Sequence, residues 1–435
     1  NEPLTTARFS ALYGLWYPHA RDSAKFLLAL LNQCAATRDA MEAIRAVIPD
    51  AQLVQTEDLG KIHSTPRLRY QADFENARRW LSFDLLTGNL EHNPAMHRYL
   101  RDHGLASGAE SFIRNPCPPD ILGLNYYVTS ERFLDERVER YPEQCLGANG
   151  SEPYADVAAV RVCEGAPHGL TDIIADSWQR YQLPVAVTEV HLGCSVEEQV
   201  RWLHDIREAA MAARARGADV RAITAWSLFG AFDWNSLLTQ IRGFYEPGAF
   251  DVRDSPPRAT FLASAIKAFA AGEDFDHPVL DVPGWWRRDI RLEVTRHDIA
   301  GSPQRLERKR SKRPRPIVLW HCPPPVKQRL RRHCKLRGFA YTALDAPQFA
   351  SFDSRWEMLV RRVRPWALID FSSHNAVRPP IMAVCAQFEV RYALFPRTHW
   401  PAPDDEALDE LIGTVLDSLL RPVPNGGQER LSATH

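Results

Sequence analysis

Two glutamates carry the chemistry this chain could do. Glu2 stands in Asn1-Glu2-Pro3, and Glu189 ends the apolar run Val185-Ala186-Val187-Thr188-Glu189. Such a run reads as a buried strand, and a carboxylate at its end is costly unless it is solvated in a cleft or paired. Two carboxylates delivered to one cleft from strand ends suit retaining glycoside hydrolysis. One acts as acid and then as base, the other attacks the sugar, and the two groups sit roughly 5 Å apart. The competing reading of Glu189 is a structural ion pair with an arginine or with His191. The competing reading of Glu2 is a solvated side chain near a terminus.

The elements that must position these residues are readable. Residues 1 to about 275 alternate short β-like runs with longer helical stretches, an α/β pattern. Strands are expected over 51–57, 120–127, 184–189 and 222–229, each apolar and then meeting a polar or aromatic residue. Ser195-Val196-Glu197-Glu198 reads as a capping box opening a helix to about Arg216, with Gly217 as its stop. Asn1, Glu2, Asn125, Tyr127, Glu189, Trp226, Asp233 and Trp234 all fall at or just past strand ends. In a parallel barrel those ends gather on the face where active sites are built.

With these motifs in this order, residues 1 to about 270 resemble the C-terminal half of glycoside hydrolase family 1, the β-glucosidase type. Asn1-Glu2-Pro3 is similar to the family's Asn-Glu-Pro at strand four, and Leu124-Asn125-Tyr126-Tyr127 to its Asn-Tyr-Tyr at strand six. Thr188-Glu189 is similar to the Thr-Glu of strand seven, and Trp226-Ser227-Leu228 through Phe232-Asp233-Trp234 to the Trp-Ser-Leu and Phe-Glu-Trp of strand eight. Gly243-Phe244 and Pro256-Pro257-Arg258 resemble the closing segment. The resemblance implies a (β/α)8 TIM-barrel-type domain acting on a β-glycoside, with Glu2 as acid/base and Glu189 as nucleophile. It implies a substrate-binding set of Asn1, Asn125, Tyr127, Trp226, Asp233 and Trp234. In that set Asn1 bonds the sugar 2-hydroxyl, Tyr127 donates to Glu189, Trp226 underlies the ring, and Asp233 and Trp234 read its far hydroxyls.

The departures are specific. Val190-His191 stands where the family has Asn-Gly, Asp233 replaces a glutamate, and Gly230-Ala231 replaces Asp-Asn. The family's first three strands and most of the fourth are missing. The chain opens without Met inside a motif, so it is expected to be N-terminally truncated, a piece of a longer protein. Four strands leave sheet edges unpaired, which a partner chain or the missing N-terminal half would cover.

From Gly272 the character changes. Residues 276–315 read as a basic linker, with Trp285-Trp286 early and an Arg/Lys run from Arg305 to Arg315. A βαβαβ order follows over 316–420, with strands expected over 317–320, 339–344, 367–371 and 390–395 and helices over 326–337, 354–363 and 381–388. The segments 315–319, 364–370 and 390–395 resemble the start of a dTDP-4-dehydrorhamnose reductase-type sugar-nucleotide domain, which implies a small Rossmann-like fold. Its cofactor loop is broken. His321-Cys322-Pro323-Pro324-Pro325 stands where glycines should admit a pyrophosphate, and prolines remove N–H donors. With no Tyr-x-x-x-Lys pair either, the domain is expected to be degenerate and without a cofactor. Residues 421–435 read as a disordered tail.

Composition sets the remaining bounds. The 435 residues are 45% hydrophobic and 25% charged with a net charge of -1, ordinary for a globular protein and no sign of a nucleic-acid partner. No apolar run approaches a membrane span. Eight scattered cysteines without a CxxC pair favour free thiols and a cytoplasmic location. The histidines and cysteines fit no zinc spacing, so no metal is expected. The leading reading is hydrolysis or transfer at a β-glycosidic bond. The alternatives are a catalytically impaired carbohydrate-binding or assembly protein of polysaccharide biosynthesis, and a sugar-nucleotide oxidoreductase. Whether turnover survives without the first barrel strands, and so whether the chain is an enzyme, stays open at this level, as do the sugar and the oligomer.

Overall fold

The computed structural model describes residues 1–163, 169–253, 255–288, 291, 314–344, 353–372, 378–395 and 405–421. Most of the expected linker (292–313) and the tail beyond Arg421 lie outside the described residues.

The apolar runs become a parallel sheet. β1 (Val54–Asp58), β2 (Ile121–Tyr127), β3 (Val185–His191) and β4 (Val220–Ala225) are neighbours in that order, and every pairing is parallel. Leu122, Leu124, Val185 and Val187 are fully buried, as strands covered on both faces require. β3 runs two residues past its expected end. β4 stops at Ala225, four short, because the chain turns away at Trp226. β4 is also an edge strand, and its Arg221, Ala222 and Thr224 are exposed. The sheet is therefore open on that side, as four strands dictate.

Helices cover the sheet. α1 (Pro3–Ala7) packs on β1 and on α2 (Ser23–Val47), where Leu4, Ala7, Phe26, Leu27 and Leu30 are all but sealed from water. Burying a leucine side chain contributes about 1.5–3 kcal/mol, so this small core anchors the residues immediately before it, Asn1 and Glu2. α3 (Gly169–Tyr181) covers β2 and β3, α4 (Val196–Ala215) covers β3 and β4, and α5 (Phe261–Ala270) packs on α4.

The second unit is again parallel. β5 (Ile317–Trp320), β6 (Tyr341–Leu344), β7 (Ala367–Asp370) and β8 (Arg391–Leu394) lie in the order β6-β5-β7-β8. α6 (Pro324–Arg337) ends at Gly338, whose φ of +67° suits the left-handed cap. α7 (Asp405–Leu420), which the sequence reading passed over, closes the unit against α6 and β8.

An ion network joins the units and replaces the expected capping box. The Ser195 side chain caps no backbone N–H of its helix. Glu197 instead receives Arg337, and Glu198 receives Arg201 and Arg288. Arg201, itself buried, also donates to the carbonyls of Val279, Arg337 and Gly338. Charge-assisted bonds to arginine are stronger than the neutral cap they displace.

Two local features aim the site. β2 needs glycine at 123, because a Cβ there would lie 2.6 Å from Thr56 Cγ2 and 2.9 Å from Thr188 Oγ1. The β2–β3 register then slips. Leu124 faces Val187, but Asn125 faces Glu189, so Thr188 is an extra residue in β3. This bulge re-aims the strand end. Gly123→Ala is expected to push the strands apart and cost about 1–3 kcal/mol in urea unfolding; an unchanged midpoint would show that the contact yields freely.

Candidate active site

The register sets three polar residues in one row at the carboxyl ends of adjacent strands. Asp58 of β1 faces Asn125 of β2, which faces Glu189 of β3. Asn125 is the joint. Its Nδ2 donates to Glu2 Oε1 at 2.9 Å and to Asn1 Oδ1 at 3.3 Å, and its Oδ1 accepts from Thr188 Oγ1 at 2.7 Å. Thr56 donates to the same Asn1 oxygen. Two residues along β2, the Tyr127 hydroxyl donates to Glu189 Oε2. Two hydrogen-bonded groups therefore lie side by side: Asn1, Glu2 and Asn125 with Thr56 and Thr188, and Tyr127 with Glu189, the residue after Thr188. The ion pair considered for Glu189 does not form with His191. That ring sits 2.6 Å from Glu246 and 3.1 Å from the Trp226 carbonyl.

Glu2 is held in an unfavourable backbone state. Its φ of 45° is left-handed, which costs a non-glycine residue about 1 kcal/mol or more. Pro3, suited to a first helical position, follows it, and the Glu2 backbone N–H donates to the Thr56 carbonyl at 3.0 Å. Burial pushes the Glu2 carboxyl up to about 8, and the charges of Asp58, Glu57 and Glu189 add to the rise, while the Asn125 donor opposes it. Burial and the neighbouring Glu189 also drive Tyr127 far above an ordinary phenol, so its hydroxyl stays a proton donor.

The aromatic rim comes from the loop after β4. Trp226 and Trp234 lie 5.5 Å apart between ring centroids, and His191 packs edge-on to Trp226 at 4.7 Å. Asp233 has a left-handed φ of 56° and accepts the Phe244 N–H at 2.9 Å, so one of its oxygens is committed to its own loop. Trp16 Nε1 donates to the Leu237 carbonyl at 3.0 Å, which ties the segment after Glu2 to this loop.

Two acidic residues went unassigned in the sequence. Asp58 accepts from the Gly60 N–H at 2.8 Å and from Ser130 Oγ at 2.7 Å, and burial raises its carboxyl. The expected strand stopped at Glu57; the adjacent Glu57-Asp58 pair after an apolar run was the available signal. Glu246 is buried behind His191, and nothing in its surroundings in sequence marks it. Among the described residues no group of three or more histidines, cysteines or acids is placed to hold a metal.

No family model matches the chain. It is similar to beta-glucosidase 47 of Arabidopsis thaliana, 28% identical over 184 residues, covering 38% of this chain and 31% of that protein. It is also similar to a 6-phospho-beta-glucosidase of Dickeya chrysanthemi, 25% identical over 229 residues and 49% of each chain. Among solved structures it matches the beta-glucosidase of Thermotoga maritima in complex with azafagomine, with a TM-score of 0.51 at 16% identity over 63% of each chain. The complex of that enzyme with deoxynojirimycin gives 0.50 over the same shares. The α/β fold thus matches a β-glucosidase TIM barrel. The chain spans 31% and 49% of the length of these two curated relatives.

The carboxyl carbon of Glu2, followed by NMR through a pH titration, should titrate near 8. Asp58→Asn removes a charge that raises it, so the midpoint should move down toward the ordinary 4.5. A midpoint near 4.5 in the unaltered chain would mean that the burial around Glu2 is not maintained.

Proposed function

We propose that residues 1 to about 275 hold the two-carboxylate centre of a retaining β-glycosidase. One observation carries the reading: a half-buried carboxyl pushed up to about 8, bonded to Asn125, lies near enough to a second carboxylate, bonded to Tyr127, to feel its charge. A carboxyl that keeps its proton at neutral pH suits the role of acid. Glu2, protonated at neutral pH, gives its proton to the leaving glycosidic oxygen. Glu189 attacks the anomeric carbon and forms a covalent glycosyl-enzyme. Glu2, now a carboxylate, takes a proton from the water that releases the sugar. Tyr127 donates to Glu189 and positions it, Asn1 takes the 2-hydroxyl side with the buried Asn125 holding it, and the Trp226 and Trp234 rings offer the apolar platform. The names of the relatives support a β-glucoside as the substrate class.

The second unit, 316–420, is proposed as a reduced Rossmann-like domain that docks and binds no dinucleotide. α6 opens with Pro324 and Pro325, whose missing N–H groups would have faced a pyrophosphate. Residues 276–315 connect it to the barrel portion. A non-catalytic carbohydrate-binding protein is the second reading. It draws on the exposed β4 edge and on Asp233, whose Oδ1 accepts from its own loop.

An aryl β-glucoside assay separates the two. Hydrolysis with retention is expected, with Glu189→Ala lowering kcat/KM about a thousandfold or more and Glu2→Gln about 10²–10⁴-fold. Because Glu2 must carry its proton in the first step, the rate should fall as pH rises through about 8. Turnover unchanged in both variants would discard the proposal, and oligosaccharide binding without turnover would favour the second reading.

A further inference from the structure

A second concave site lies far along the chain from the carboxylates. A cleft of about 740 Å³ opens where the loop 276–278 meets the second unit, and its lining sets Arg315, Arg361, Arg364 and Arg391 with His277 and Trp366 against two acids, Asp276 and Glu389. Trp366 and Arg391 stand at the amino ends of β7 and β8. Doubly wound sheets bind nucleotides in the crevice outside the carboxyl ends of their strands, so this is the other edge.

The four arginines are not equally occupied. Arg315 is held by Asp281 at 2.8 Å and Asp276 at 3.1 Å. Arg361 lies over the Phe388 ring and reaches Glu357 only at 3.9 Å. The Arg364 guanidinium has no hydrogen bond or ion pair among the described residues. Arg391 spends one terminal nitrogen on the carbonyls of Leu419 and Arg421, and no carboxylate meets it among the described residues. Its charge is left partly buried and unneutralised, which is costly unless an anion completes the pair.

His277 adds a directed neutral donor. Its Nδ1 accepts the Val279 N–H at 3.1 Å, which leaves the proton on Nε2. That Nε2–H has no partner among the described residues. Burial and then the charges of Arg391 and Arg315 push the ring down to about 3, so it stays neutral at physiological pH. The ring is fixed by Phe261 at 4.4 Å and by Trp366 at 5.6 Å between centroids.

We propose that this cleft binds a small molecule carrying a diphosphate group, clamped by Arg361, Arg364 and Arg391 with His277 Nε2–H as a further donor. Guanidinium forks match phosphate oxygens two bonds at a time, and two linked phosphates supply the charge that three arginines need. The cleft volume leaves room for a group beyond the phosphates. This site is independent of the glycosidase reading.

Inorganic pyrophosphate titrated into the full chain by calorimetry at about 0.15 M salt, where surface attraction is screened, tests it. The comparison is the double variant Arg361→Ala, Arg364→Ala. Both side chains are exposed, and near-ultraviolet circular dichroism checks that the fold is kept. Saturable binding that weakens about tenfold or more in the variant is expected. Absence of binding would overturn the proposal. Equal affinity in the variant would also overturn it, because the ion would then sit elsewhere, as on the basic run 305–315.

Discussion

The candidate site depends on one side-chain amide. Asn125 is 1% exposed and fully used: its nitrogen serves Asn1 and Glu2, and its oxygen serves Thr188. A buried amide leaves no slack, because each unmade bond would cost about 1–3 kcal/mol. It therefore sets the distance between the chain's first residues and the end of β3. Gly123 and the bulge at Thr188 exist at the same level. One lets the strands close on each other, and the other sets Glu189 opposite Asn125 in the ladder. The fold around these residues is a means of holding three strand ends in register.

Electrostatics then differentiates two groups that are chemically alike. Glu2 sits among Asp58, Glu57 and Glu189 in a partly dry setting, and its charged form is disfavoured. Glu189 receives a phenol hydroxyl that itself resists ionisation. The left-handed backbone at Glu2 is a local cost, offset by the leucine-rich packing of α1 and α2 just behind it. The same logic of uneven neutralisation appears at the far edge of the second sheet, with the sign reversed. There arginines only partly matched by carboxylates gather around a histidine kept neutral.

What could be read from sequence follows from which forces are local. Apolar runs ending in a polar residue located β1 to β8 within a few residues, and Gly217 and Gly338 marked helix stops that have positive φ in the structure. The bulge at Thr188 was invisible, because a register shift belongs to a pair of strands and not to either one. The capping box was misread since Glu197 and Glu198 answer to arginines far along the chain. α7 was legible and passed over: Leu408, Ile412, Val415, Leu416 and Leu419 keep helical spacing and are buried. Asp58 was missed by ending a strand one residue early. Asn1, Glu2, Asn125, Tyr127 and Glu189 could be singled out because strand-end position is a local property, and the structure places them in two neighbouring hydrogen-bonded groups at the ends of β2 and β3. Trp226, Asp233 and Trp234 reach the rim on a loop whose course no pattern foretold.

The central claim is that Glu189 is a nucleophile held against a protonated partner. A 2-deoxy-2-fluoro-β-glucoside with an activated leaving group tests it directly, since the fluorine slows release of the sugar from the enzyme. Intact-mass analysis followed by peptide mapping should find one fluorosugar attached, on the peptide containing Glu189. An unlabelled chain, or a label on another carboxylate, would contradict the account.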